Sequence, residues 1–276
     1  MKNSIIQTPI RFALSLGLLA WSTAACAPQR SADKMAPPIE YKTDRLSSDG
    51  LEYEFNPKVD ILFVIDHSDS MLEEQTKLKE AADRFVESFG ENSLIDYRVG
   101  IVSVHDSRRC GTVDPKTQLP IECYPEGRLR PLKGAPSTAS PFVVRNEGAQ
   151  KILKESLAFG TQSLKDGGPR FEELFSPILI ATSPEGNQAN GGFLRPDSRL
   201  VIVMVTDEDD SSASISVEDF LFQLQSNVGL SRVELNAVVA TEGCARNNYA
   251  DAPDKILRAV KMMKGRVFPI CNASFG

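Results

Sequence analysis

The sequence predicts an α/β fold, a doubly wound and mainly parallel central sheet flanked by helices. Three observations carry this expectation. Residues 59–65 (VDILFVI) and 199–205 (RLVIVMV) are nearly unbroken apolar runs rich in β-branched types, as in strands covered on both faces. Between and after them, short apolar runs alternate with amphipathic helical patterns, the rhythm of a sheet wound with crossover helices. Finally, a chain of 276 residues with 41% hydrophobic and 25% charged residues is long enough for one large domain with a well-buried core.

Residues 1–25 read as a secretory signal. Lys2 and Arg11 flank an apolar stretch at 12–21 that is too short for a stable membrane span, and small residues, Ser22 to Ala25, lead to Cys26. Thr23-Ala24-Ala25-Cys26 resembles the lipobox of bacterial lipoproteins, with Thr23 standing in place of the usual Leu. The resemblance implies cleavage before Cys26 and its acylation; ordinary cleavage near Ala25 or Ala27 is the competing reading. Residues 26–50, rich in Pro, Ser, Ala and charges without an apolar period, read as a flexible tether, leaving 51–276 as the folded domain.

Within that domain the first strand, from Val59, ends on the cluster Asp66-His67-Ser68-Asp69-Ser70. A helix is expected from about 71 to 89, with Leu72, Leu78, Ala82, Phe85, Val86 and Phe89 as its apolar stripe and Gly90 as its stop. A strand at 95–104 follows. An insertion at about 105–141 is dense in Pro and Gly, holds Cys110 and Cys123, and contains a candidate short antiparallel edge strand at 127–132. Helices are expected at about 147–159 and 171–181, a strand at 199–207, a helix at 217–228, a strand at 233–240, a helix at 253–264 and a strand at 266–270.

Asp66-x-Ser68-x-Ser70 after an apolar strand, together with a second strand ending on Asp207, resembles the DxSxS pattern of von Willebrand factor A (vWA) domains over roughly residues 56–271. The resemblance implies a metal-ion-dependent adhesion site: Ser68 and Ser70 bind a divalent cation directly, while Asp66 and Asp207 bind directly or through water. Oxygen ligands of this kind suit Mg²⁺ foremost, then Ca²⁺ or Mn²⁺. Such a cation, held by few formal charges, accepts a Glu or Asp from a protein partner. The family also supplies a Thr from a loop placed here near Gly167-Gly168, but Pro169 and Arg170 stand there and Thr161 lies too early. Water, a main-chain carbonyl or Glu172 is expected in its place, with a site of low metal affinity as the alternative. The family's final helix has no counterpart after the last strand, so an uncovered patch of sheet or a partner in that place is expected.

Other readings compete at several residues. Ser68 or Ser70 as a plain cap of the following helix is the simplest alternative. His67 reads as a loop side chain, the run Glu208-Asp209-Asp210 as a solvated loop or a second calcium site, and Asn272-Ala273-Ser274 as a chance match to a glycosylation acceptor. A phosphatase using Asp66 as nucleophile needs a second carboxylate two residues on, where Ser68 stands, and no G-x-S-x-G, phosphate-binding loop or H-E-x-x-H occurs. A metal-independent envelope scaffold is the remaining rival.

Setting Cys26 aside leaves four cysteines, an even number suited to an oxidising compartment, and the pairings Cys110–Cys123 and Cys244–Cys271 are favoured over zinc, since no C-x-x-C is present. Beyond residue 25 the chain carries 29 basic and 37 acidic residues, from totals of 31 and 37 less Lys2 and Arg11, and shows no basic stripe for nucleic acid. The expected protein is therefore a non-catalytic, exported bacterial lipoprotein at the cell envelope, on either face of the outer membrane. It touches the membrane through its lipid anchor only and is of open oligomeric state.

Overall fold

The computed structural model describes residues 56–90 (backbone alone over 82–90), 94–146, 148–241, 244 and 252–271. The signal, the tether and the Asn272 triplet lie outside them. In chain order the elements are β1 (Lys58–Ile65), α1 (Leu72–Gly90), β2 (Asp96–Ser103), β3 (Val143–Val144), α2 (Ala149–Leu157), α3 (Phe175–Thr182) and α4 (Pro184–Ala189). β4 (Arg199–Val205), α5 (Val217–Asn227), β5 (Val233–Val239), α6 (Asp254–Met262) and β6 (Val267–Pro269) complete the series. The six strands form one sheet in the order β3-β2-β1-β4-β5-β6, parallel throughout except for β3. Helices cover both faces, so the expected α/β architecture is present.

Strand alternation distributes side chains between two cores. Leu62, Val64, Val102, Ile202 and Met204 face α3, α5 and α6, where Phe175 stacks on Phe220 with ring centroids 4.1 Å apart. Ile61, Phe63, Ile65, Val99 and Ile101 face α1 and α2, meeting Met71, Leu78, Leu153 and Leu157. Among the described residues no helix is long and apolar enough to cross a membrane.

Several expectations are corrected. Leu72, placed on the apolar stripe of α1, is 65% exposed; Met71 is buried instead, and the stripe through Leu78 and Ala81 carries two polar groups, Glu74 and Gln75. Gln75 is buried because its amide is used: it donates to the carbonyls of Asp66 (2.9 Å) and Gly160 (3.2 Å) and accepts from the Gly160 N–H. Residues 127–132 form no strand. They give the sheet one backbone hydrogen bond, Arg130 N–H to Ile101 O at 2.6 Å, and the antiparallel edge is β3. Gly127 turns with φ +65° and packs on α3, where a Cβ would lie 2.4 Å from Ile180 Cγ2.

α3 starts four residues later than its periodicity suggests, because 171–174 are held by groups far away in sequence. Glu173 bridges to His105 in antiparallel fashion, and the Asp210 carboxylate accepts the N–H groups of Leu174 and Phe175, both at 2.9 Å. The last two members of the acidic run are thus engaged within the fold and do not stand free in a loop. Asp210 also accepts from Lys255 Nζ at 2.6 Å, and Asp209 accepts the N–H groups of Lys255 and Ile256 at the start of α6. α4 was not expected, although Ser183 accepting from Gly186 N–H and Pro184 at the first helical position are ordinary start signals. Both favoured disulfides are present, Cys110–Cys123 and Cys244–Cys271.

Candidate metal centre

β1 is the strand at which the sheet changes direction of growth: β2 lies on one side and β4 on the other. Loops leaving the C-terminal ends of β1 and β4 therefore diverge and open a crevice, the usual ligand position in open α/β sheets. Ile65 pairs with Val205, which brings Asp66 and Asp207, far apart in sequence, to the same rim.

Asp66 is fully buried and heavily used. Its own N–H donates to Val205 O at 2.9 Å, while its carboxylate accepts from the Ser68 N–H at 2.7 Å and the Thr206 hydroxyl at 3.0 Å. Ser68 Oγ and Ser70 Oγ lie 3.0 Å apart, and Ser70 donates to Asp207 Oδ1 at 3.2 Å. The four residues singled out from the sequence are thus brought together. Ser68 occupies the cap position of the short 3-10 turn Asp69–Met71, yet its side chain caps nothing. The plain capping reading of Ser68 fails for that reason.

Neighbouring oxygens around an octahedral Mg²⁺, bound at about 2.1 Å, are about 3.0 Å apart. The Ser68–Ser70 and Ser70–Asp207 separations of 3.0 and 3.2 Å, hydrogen bonds in the metal-free protein, are compatible with successive edges of such a shell. The donor set, hydroxyl and carboxylate oxygen, also suits a hard cation. Among the described residues no three His, Cys, Asp or Glu side chains converge on one point. The hydroxyls are therefore the necessary part of any such site.

Burial, followed by the charge of Asp207, lifts the Asp66 carboxyl from its ordinary 3.8 to about 7. Burial likewise lifts Asp207 to about 6, against the hydrogen bond from Ser70. Glu172 is pushed furthest, to about 9, by burial and then by the carboxyl of Glu208. A group whose folded-state pKa is raised gives stability that is lost as pH rises toward that pKa. His67 acts oppositely below its ordinary 6.5, because burial holds it near 4 and neutral. Above 6.5 only the carboxyl effect remains. The protein in EDTA is accordingly expected to lose thermal stability as pH is raised from about 6.5 to 9, measured by unfolding scans at constant ionic strength, and a rising or flat Tm would contradict these assignments.

The loop opposite the motif is pinned from two sides. Gln162 N–H donates to His67 O at 2.8 Å, and Arg109 of the stapled insertion donates to the carbonyls of Leu164 (2.9 Å) and Gly168. The expected bend lies at Gly167, with φ +88°, and at Gly168, where a Cβ would sit 1.9 Å from Gln162 O. A cavity of about 440 Å³ opens between this loop and the motif, lined by Ser68, Ser70, Ser163, Lys165, Glu172 and Glu208 among others. Neither Thr161 nor Asp207 is among its lining residues, so the cavity adjoins the motif on its Ser68 and Ser70 side. Sequence reasoning missed Thr206 and Gln75. Thr206 reaches Asp66 and Gln75 reaches Gly160 across long stretches of chain, and only the Thr immediately before Asp207 carried any visible hint. His67, read as a loop side chain, is buried and packs on Phe159 with ring centroids 6.1 Å apart.

No family model matches the chain, and no curated protein matches it in sequence. Among solved structures it is similar to proximal thread matrix protein 1 of the mussel byssus, with 14% identity and a TM-score of 0.45, covering 79% of this chain and 44% of that one. It is also similar to the adhesive tip pilin GBS104 of Group B Streptococcus agalactiae (16% identity, TM-score 0.31, 63% and 53% covered). A third is the human COPII-coat protein Sec24c (9%, 0.38, 76% and 29%). The chain spans about half the length of these proteins or less.

Proposed function

We propose that this chain is a vWA-like, non-catalytic binding protein that grips a carboxylate of a protein partner through a divalent cation, Mg²⁺ foremost. The observation that carries the reading is the convergence of the Ser68 and Ser70 hydroxyls and the Asp207 carboxylate on one point, set where β1 and β4 diverge. Ser68, Ser70 and Asp207 would hold the ion, and Asp66, its oxygens already engaged, would act through water. The ion supplies an electrophilic docking point. Asp66 makes a poor nucleophile, since both carboxylate oxygens are committed and the side chain is inaccessible. Two disulfides suit an exported protein, and Cys26 is the residue we assign to the lipid anchor at the bacterial cell envelope.

Selection of a displayed random peptide library on the purified protein tests this reading. With Mg²⁺ present, the enriched peptides are expected to share an Asp or Glu whose amide replacement lowers affinity at least tenfold, with binding lost in EDTA and in Ser70→Ala. Peptides held equally well in EDTA would refute it.

A further inference from the structure

The most buried carboxyl lining the cavity belongs to none of the four residues above. Glu172 is 3% exposed, and its Oε2 is wholly buried with no hydrogen-bond partner among the described residues. It lines the same cavity as Ser68 and Ser70; Glu208 acts on its carboxyl by a side-chain hydrogen bond and Asp66 as a like charge, which leaves Oε2 without a donor. Lys165 and Arg170 line that cavity too, yet neither forms an ion pair with it among the described residues. A buried carboxyl oxygen without a donor costs the fold stability, of order the desolvation of a polar group.

The backbone leaves this side chain little freedom. Ser211 N–H donates to Glu172 O at 2.9 Å, Phe171 N–H on one side donates to Asp106 Oδ2 at 3.2 Å, and Glu173 on the other bridges to His105. Glu172 is therefore held in the cavity wall by its neighbours on both sides.

We infer that Glu172 accepts a hydrogen bond, through Oε2, from a water bound to the cation at Ser68, Ser70 and Asp207. The inference rests on the metal reading above and deepens it. Because Oε2 lies within hydrogen-bonding distance of neither the Ser68 nor the Ser70 hydroxyl, it stands back from the edge of their shell and the contact runs through water, not by direct ligation. The water donates the hydrogen bond that the orphaned oxygen lacks, and that bond holds the ion's hydration shell against the cavity wall. A carboxyl thereby serves the side of the site where the vWA resemblance calls for a Thr. Because Mg²⁺ keeps several of its waters while Ca²⁺ sheds them more readily, the arrangement favours a hydrated Mg²⁺.

Titrating the full chain with Mg²⁺ alone by calorimetry tests this, comparing wild type with Glu172→Gln, and Glu172→Met as the second variant. Outer-sphere carboxylates of this kind change metal affinity by about 10–100-fold. Both variants are expected to bind Mg²⁺ at least tenfold more weakly, to lose less affinity for Ca²⁺, and to unfold in EDTA at or above the wild-type temperature, since the orphaned carboxyl is gone. Wild type and variants binding Mg²⁺ within twofold of one another would overturn the role of Glu172 and leave the metal reading standing. Absence of Mg²⁺ binding in wild type would overturn both.

Discussion

Asp60→Ala is expected to lower the free energy of unfolding by about 3–5 kcal/mol, the cost of stranding one member of a buried ion pair. Asp60 lies inside β1 with no exposure, and Arg195 wraps it: Nε donates at 2.9 Å, Nη2 approaches at 2.7 Å, and the Arg195 N–H donates to Oδ2 at 2.7 Å. Ser198 donates to the same oxygen. Arg195 reaches onward to Asp96 at the start of β2, at 2.6 Å, so a single guanidinium ties β1 and β2 to the turn that precedes β4. Removing the carboxylate leaves that guanidinium mostly buried with Asp96 as its remaining acid partner, strands the Arg195 N–H and takes an acceptor from the Ser198 hydroxyl inside the fold. At about 2–4 °C per kcal/mol for a domain of this size, Tm falls by roughly 6–20 °C. Asp197→Ala is the contrast: its pair with Lys58 is more than a third exposed on both sides, so a change of under about 1 kcal/mol is expected. Because Asp60 lies toward the opposite end of β1 from Asp66, the folded Asp60→Ala protein is expected to keep its metal affinity. A Tm within 2 °C of wild type in unfolding scans would contradict this account of the ion pair.

Asp60 also marks the limit of what the sequence discloses. A carboxylate within an apolar strand carries no sign of burial unless its partner is known, and Arg195 lies far away in the chain. Asp209 and Asp210 are the same case: written side by side they look solvated, yet each closes the N–H groups of a different, remote segment. The parallel strands, the bend at Gly167-Gly168 and the DxSxS cluster were legible because their signals are local: continuous apolar runs, glycines, and hydroxyls at alternate positions. The late start of α3 was not, because its first turn is replaced by contacts from His105 and Asp210. Nor was the two-residue edge strand β3, too short for any periodicity to register.

The second large effect concerns the site itself. Asp66 sets the conformation of the motif through its bond to the Ser68 N–H, and it shares the rim with Asp207. Substituting Ala removes both the charge that attracts the cation and the acceptor that fixes Ser68. Metal that binds only the folded state adds RT ln(1 + [L]/Kd), about 2.7 kcal/mol at a hundredfold excess over Kd, or roughly 5–10 °C here. The measurement that tests the central claim most directly is thermal unfolding of the oxidised protein with EDTA, Mg²⁺, Ca²⁺ or Mn²⁺, alongside Asp66→Ala. The account predicts a metal-dependent rise of that size in wild type and none in the mutant. The same Tm in EDTA and in every ion up to millimolar concentration would contradict it, and would favour a scaffold that binds partners without metal.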